Sequence, residues 1–251
     1  MIMSQRFKLQ LATDGLLIAA RQLEVSVEQL QLIQVMVDIS LIDPSTLALT
    51  YQIQLPNRRL ASVFDWPQWQ QDQVKFIDYL WEQTCLECFI AGTGSVTNAS
   101  QITPYIEINA SPSGRYALYQ FADYRQPDCM PPTPLYKANS DEQASIDWTA
   151  RSPLTRFLNI SSLNVAQHLK TQCPKVTPNA LSALIFTAVY DYRRSFTIDL
   201  DQVPSSLLAN GIEQLHPCVI LYFDSVALYF AAKHAAPPDF HQQHYWANFK
   251  L

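Results

Sequence analysis

LALTYQIQL, residues 47–55, decides the fold class. Leu47, Leu49, Tyr51, Ile53 and Leu55 alternate with Ala48, Thr50, Gln52 and Gln54. Successive side chains of a strand point to opposite faces, so this period buries one face and wets the other. Antiparallel sheets are built from such strands. The run stops at Pro56-Asn57, a turn signal. The same alternation predicts strands over residues 7–11 and over 23–27, where Leu23, Val25 and Val27 alternate with Glu24 and Ser26.

Downstream, TCLECFIA (84–91) and PYIEINA (104–110) read as short strands on either side of the polar stretch GTGSVTNAS. Ser111-Pro112-Ser113-Gly114 is a turn, and RYALYQF (115–121) reads as the returning strand of a hairpin. Residues 126–134, QPDCMPPTP, are too proline-rich for a central strand. Residues 180–190 and 219–232 have the composition of buried strands, the second turning at Asp224-Ser225. Short helices are expected over 164–173 and within 204–215, the latter starting near Ser205 or Ser206 and ending near Gly211. The fold class that follows is all-β, an antiparallel β-sandwich of jelly-roll or carbohydrate-binding-module kind with a few short helices.

Composition narrows the function. The chain has 251 residues, 48% hydrophobic and 16% charged, which suits one folded β domain. Its net charge of -5 and the absence of a Lys/Arg cluster argue against nucleic acid as a partner. No apolar run approaches the roughly 20 residues of a membrane helix, and the N-terminal residues alternate like a strand instead of forming an export signal. A cytoplasmic protein with no membrane partner is expected. With five glycines and neither a Gly-rich phosphate loop nor a G-x-S-x-G, dinucleotide binding and serine-hydrolase chemistry have no support.

Several residues could carry chemistry. Alternation places Cys85, Glu87 and Phe89 on one face of their strand and Tyr105, Glu107 and Asn109 on one face of theirs. An aromatic ring beside a carboxylate and an amide is what a sugar site needs. An ordinary solvated sheet face reads the same way. Glu87 and Glu107 would also serve as the acid and base of a glycoside hydrolase or lyase. Cys85 and Cys88 fall on opposite faces and lack a second ligand pair, so a structural role outweighs a zinc or redox one. Near the C-terminus, His234, Asp239 and His241 offer imidazole and carboxylate for a metal or haem, in a spacing that matches no compact metal motif.

Three blocks in order carry a resemblance. LWEQTCLECF (80–89) resembles the LWExTCFExF signature of the bacterial DOMON-like proteins. Tyr105-x-Glu107-x-Asn109, Ser111-Pro112-Ser113-Gly114 and Tyr119-x-Phe121-x-x-Tyr124-Arg125 are similar to that family's second block. Lys233-His234 through Pro238-Asp239-Phe240-His241 resembles its closing HP…PDFH. The sequence departs from the pattern at Leu86 and at Ala235-Ala236-Pro237. The resemblance implies one domain over residues 1–251, a sandwich like that of the family-nine carbohydrate-binding modules, with an insertion near 190–218. Relatives in the wider group bind sugars or haem.

The resemblance implies a site made by Trp81, Glu82, Glu87, Tyr105, Glu107, Asn109, Arg125, His234, Asp239 and His241. Arg125 pairing with Glu87 or Glu107 would be a structural use of the same residues. The expectation is a non-catalytic module binding a carbohydrate or related small polar ligand, with no cofactor required. The alternatives are a glycoside hydrolase or lyase using Glu87 and Glu107, and a haem or divalent-metal binder with His234 or His241 as ligand.

Overall fold

The computed structural model describes residues 3–92, 104–148, 190–208 and 211–249. Among them run eleven strands: β1 (Met3–Leu11), β2 (Gln34–Leu41), β3 (Thr46–Leu55), β4 (Cys85–Gly92), β5 (Tyr105–Ala110), β6 (Tyr116–Phe121), β7 (Asp147–Trp148), β8 (Tyr190–Asp199), β9 (Ile212–Phe223), β10 (Val226–Ala231) and β11 (Ala247–Asn248). Four short helices accompany them: α1 (Leu16–Gln22), α2 (Val27–Gln31), α3 (Arg58–Val63) and α4 (Ser205–Leu208). The strands form one curled path, β6-β5-β4-β9-β10-β1-β2-β3-β8-β7, with β11 paired to β9. Every ladder between them is antiparallel.

β1 makes the corner. Its residues 3–9 pair with β2, and Gln10 and Leu11 pair with β10. One strand thus belongs to two sheets, a common way to turn a sandwich corner. On one side lie β1, β2, β3, β8 and β7. On the other lie β6, β5, β4, β9, β10 and β11. Leu47, Leu49, Tyr51, Ile53 and Leu55 of β3 are buried, as their alternation predicts. They share one core with Leu86, Cys88 and Ile90 of β4 and with Ile106 and Ile108 of β5. That shared core makes the fold a β-sandwich. Across it, the hydroxyl of Tyr51 donates to the main-chain oxygen of Glu87 at 2.7 Å.

The hairpin of β5 and β6 forms as read. Its turn is closed by the Gly114 amide donating to the Ser111 oxygen at 3.0 Å. Gly114 sits at φ +117°, where a side chain would be strained. Pro56-Asn57 ends β3, and Asn57 then caps α3 by accepting from the Leu60 amide at 2.9 Å. The turn at Asp224-Ser225 separates β9 from β10.

Two expectations are corrected, and one strand was unforeseen. Residues 23–27 are not a strand but the joint between α1 and α2. Ser26 and Gln29 form a capping box there, and Glu24 takes φ +57°. β2, a half-buried strand with Val35, Val37 and Ile39 inward, was not among the expected strands. The short helix within 204–215 shrinks to α4, and Ile212 onward opens β9. Residues 190–218, expected as an insertion, hold β8, α4 and the first half of β9. The expected polar stretch after Gly92, the helix over 164–173 and the strand over 180–189 lie outside the described residues. Among the described residues no helix is long and apolar enough to cross a membrane.

Candidate functional site

β4 and β5 are buried on both faces. Their inner face meets the sandwich core. Their outer face meets a second apolar cluster that includes Cys85, Phe89, Tyr105, Tyr119, Phe240 and Trp246. Cys85 and Cys88 therefore lie on opposite faces, both buried and unpaired, and burial pushes both thiols up. The solvated sheet face that Tyr105, Glu107 and Asn109 also suggested is overturned. The segment after β10 folds back over it. His241 stands edge-on to Phe89, with ring centroids 4.9 Å apart, and Trp246 lies 5.3 Å from Tyr105. The Trp246 ring is fixed in turn by donating to the Phe240 oxygen at 2.9 Å.

Between this cover and the sheet lies a cavity of about 210 Å³. That is ample for ordered water and small beside pockets for drug-sized ligands, which start near about 300 Å³. Of the expected site residues, Trp81, Glu87, Glu107, Arg125, Asp239 and His241 line it. Tyr105 and Asn109 stand behind the lining as supports. Asn109 donates from Nδ2 to Oε1 of Glu107 at 2.7 Å. The Tyr105 hydroxyl accepts from the Arg125 amide at 3.1 Å and lies 2.8 Å from Nδ1 of His241.

Glu82 and His234 do not belong to the site. Glu82 is exposed, on the 3-10 turn that precedes β4. His234 donates from Nε2 to the Gln10 oxygen at 2.7 Å, so it pins the chain after β10 to β1. Arg125 pairs with neither glutamate. Its Nη2 donates to Oδ1 of Asp239 at 2.9 Å, and the Tyr124 hydroxyl donates to the same carboxylate. Those bonds lower the Asp239 pKa against burial, which raises it. Asp239 also accepts from the His241 main-chain amide at 3.1 Å, so it shapes the loop without orienting the ring.

Glu87 and Glu107 are 2% and 4% exposed. In the β4–β5 ladder Glu87 faces Asn109 and Phe89 faces Glu107, which makes the two glutamates diagonal neighbours. Glu87 Oε1 is buried with no hydrogen-bond partner among the described residues. Burial, and then the charge of Glu107, hold its carboxyl well above the usual range. Burial raises Glu107 to about 7, against the Asn109 hydrogen bond and the charge of Arg125, which lower it. Burial and the charge of Arg125 push His241 down to about 3 while Asp239 opposes them, so its ring is neutral at ordinary pH. The Tyr105 hydroxyl, already accepting from Arg125, has its own proton free for Nδ1 of His241. Nε2 is then the N–H side, 3.8 Å from Oε2 of Glu107 and beyond hydrogen-bond reach.

The sequence did not mark the apolar walls, Phe89, Phe121, Ile220, Tyr229 and Phe240. Alternation already put Phe89 beside Glu87, and the hairpin register would have found Phe121. The loop residues Asp128 to Met130, which also line the cavity, carry no such signal. A shared metal or haem site on His234 and His241 finds no support, because the two do not meet. Among the described residues no group of three or more His, Cys, Asp or Glu is placed to hold a metal ion. Comparison with protein-family models, curated proteins and solved structures finds no match for this chain.

Proposed function

We propose that this protein is a binding module for a small polar ligand of carbohydrate kind, seated in the cavity on the outer face of β4 and β5. One observation carries the reading. Glu87 is buried in the cavity wall with an oxygen that no group among the described residues satisfies. A buried polar atom without a partner costs about 1–3 kcal/mol, and folding alone gives no reason to keep it. A ligand hydroxyl in the cavity would satisfy it. The aromatic walls Trp81, Phe89 and Phe121 would cover the CH faces of a sugar ring. The three-block resemblance to DOMON-like proteins points the same way.

A second reading has its own support. Two carboxyls share the cavity, and burial raises both, Glu107 to about 7. One proton on Glu87 and none on Glu107 is the state a glycoside hydrolase or lyase would need.

A thermal-shift screen against neutral sugars, amino sugars and sugar phosphates tests both. A ligand at about ten times its Kd adds about 1.4 kcal/mol, which raises Tm by about 3–6 °C in a chain this long. Such a shift with one sugar class, and no turnover of chromogenic glycosides, supports the binding module. Turnover lost in Glu87→Gln would replace it with the enzyme. Silence across the panel would contradict both.

A further inference from the structure

We propose that the ligand of this cavity carries a protonated amine, as an amino sugar or a small cyclic alkylamine does, held between the carboxyls of Glu87 and Glu107. This rests on the cavity being a ligand site and narrows the chemistry of what enters it. Among the described residues the two carboxyls have no cation of their own. Arg125, the arginine of the lining, is committed to Asp239 at 2.9 Å. His241 is neutral, and its Nε2 stops 3.8 Å short of Glu107. Glu87, 2% exposed, keeps an oxygen without a donor. An ammonium brings three donors and a charge, and a bond from it to a carboxylate is stronger than one from a hydroxyl. Trp81, Phe89, Phe121 and Phe240 line the same cavity, and aromatic rings attract cations. A bare metal ion would find these apolar walls poor ligands. The carbon skeleton of an organic ammonium would fill them.

Protons balance simply. In the empty site burial holds the Glu87 carboxyl well above its usual range, and Glu107 is raised to about 7. When the ammonium enters, each carboxyl that ionises releases one proton to solvent. The charge of Glu107 bears on Glu87 and Cys85 of β4, Tyr105 of β5, Tyr119 of β6 and Cys218 of β9. From the covering side the cationic Arg125 lowers Glu107, the neutral His241 lies 3.8 Å from it, and Asp239 holds Arg125.

The test is calorimetric titration of the full chain with two matched pairs, glucosamine against glucose and cyclohexylamine against cyclohexanol. At about pH 7 the amine of at least one pair should bind about tenfold or more tightly than its alcohol. That preference should fall by up to about tenfold per unit as the pH drops below about 7. Glu87→Gln and Glu107→Gln should erase it while circular dichroism shows them folded. Should a variant fail to fold, the pH dependence of the unsubstituted protein decides. Equal binding of amine and alcohol, or an amine preference that ignores pH and survives in folded Gln variants, overturns the amine assignment and leaves the ligand site standing. No binding of any of the four probes overturns both.

Discussion

Glu107 keeps its proton up to about pH 7 because burial outweighs the help of Asn109 and Arg125. Its ordinary value is 4.5, so between about 4.5 and 7 the folded chain holds a proton that the unfolded chain has lost. Stability from this group is therefore full at the acid end of that window and declines as pH rises through it. Glu107→Gln does not titrate. Its stability relative to the unsubstituted protein, read from Tm, should climb as pH goes from about 4.5 to about 7, by at most on the order of 3 kcal/mol. His216 and His241, which burial pushes down to about 3, lose stability as pH falls, but both proteins share them and their effect largely cancels in the difference. Melting curves across that window check this. A flat difference would mean that Glu107 is ionised and paired.

The residue pattern was partly legible in the sequence. Period-two alternation put Glu87 and Phe89 together, and Tyr105 with Glu107, without knowledge of the fold. Their burial was not legible, because the cover comes from Phe240 and Trp246, which lie more than a hundred residues away in the chain. The partner of Arg125 was missed for the same reason: one hydrogen bond joins positions 114 apart in the sequence.

Among the elements, β3 and the 23–27 segment read alike and fold differently. Both alternate apolar and polar residues. In β3 the alternation runs through ten residues between ladders to β2 and β8. In 23–27 it is short, and Ser26 with Gln29 offers a helix start that local hydrogen bonds satisfy at 3.0 and 3.2 Å. The S-x-x-Q spacing was readable and outweighs so brief a strand pattern. Ser26→Ala should cost about 1 kcal/mol, seen as a lower urea midpoint with unchanged slope. An unchanged midpoint would mean that packing of Leu30 holds α2 without its cap.

At the scale of the whole molecule, β4 and β5 lie between two layers. The inner layer is the sandwich core, and its strand pairing owes nothing to the cavity. The outer layer, from Trp81 round to Trp246, closes over Glu87 and Glu107. Sequence alone suggested the sandwich and could not reveal the outer layer, since strand periodicity is silent about what covers a face. The central claim is that Glu87 serves a ligand and not the fold. Its most direct test is the melting temperature of Glu87→Met, an apolar side chain of similar length, with and without the ligand that stabilises the unsubstituted protein. The account predicts a free variant at least about 2 °C more stable, because a buried unsatisfied group is gone, and no response to ligand. A free variant several degrees less stable would show that Glu87 holds the fold together and would contradict the claim.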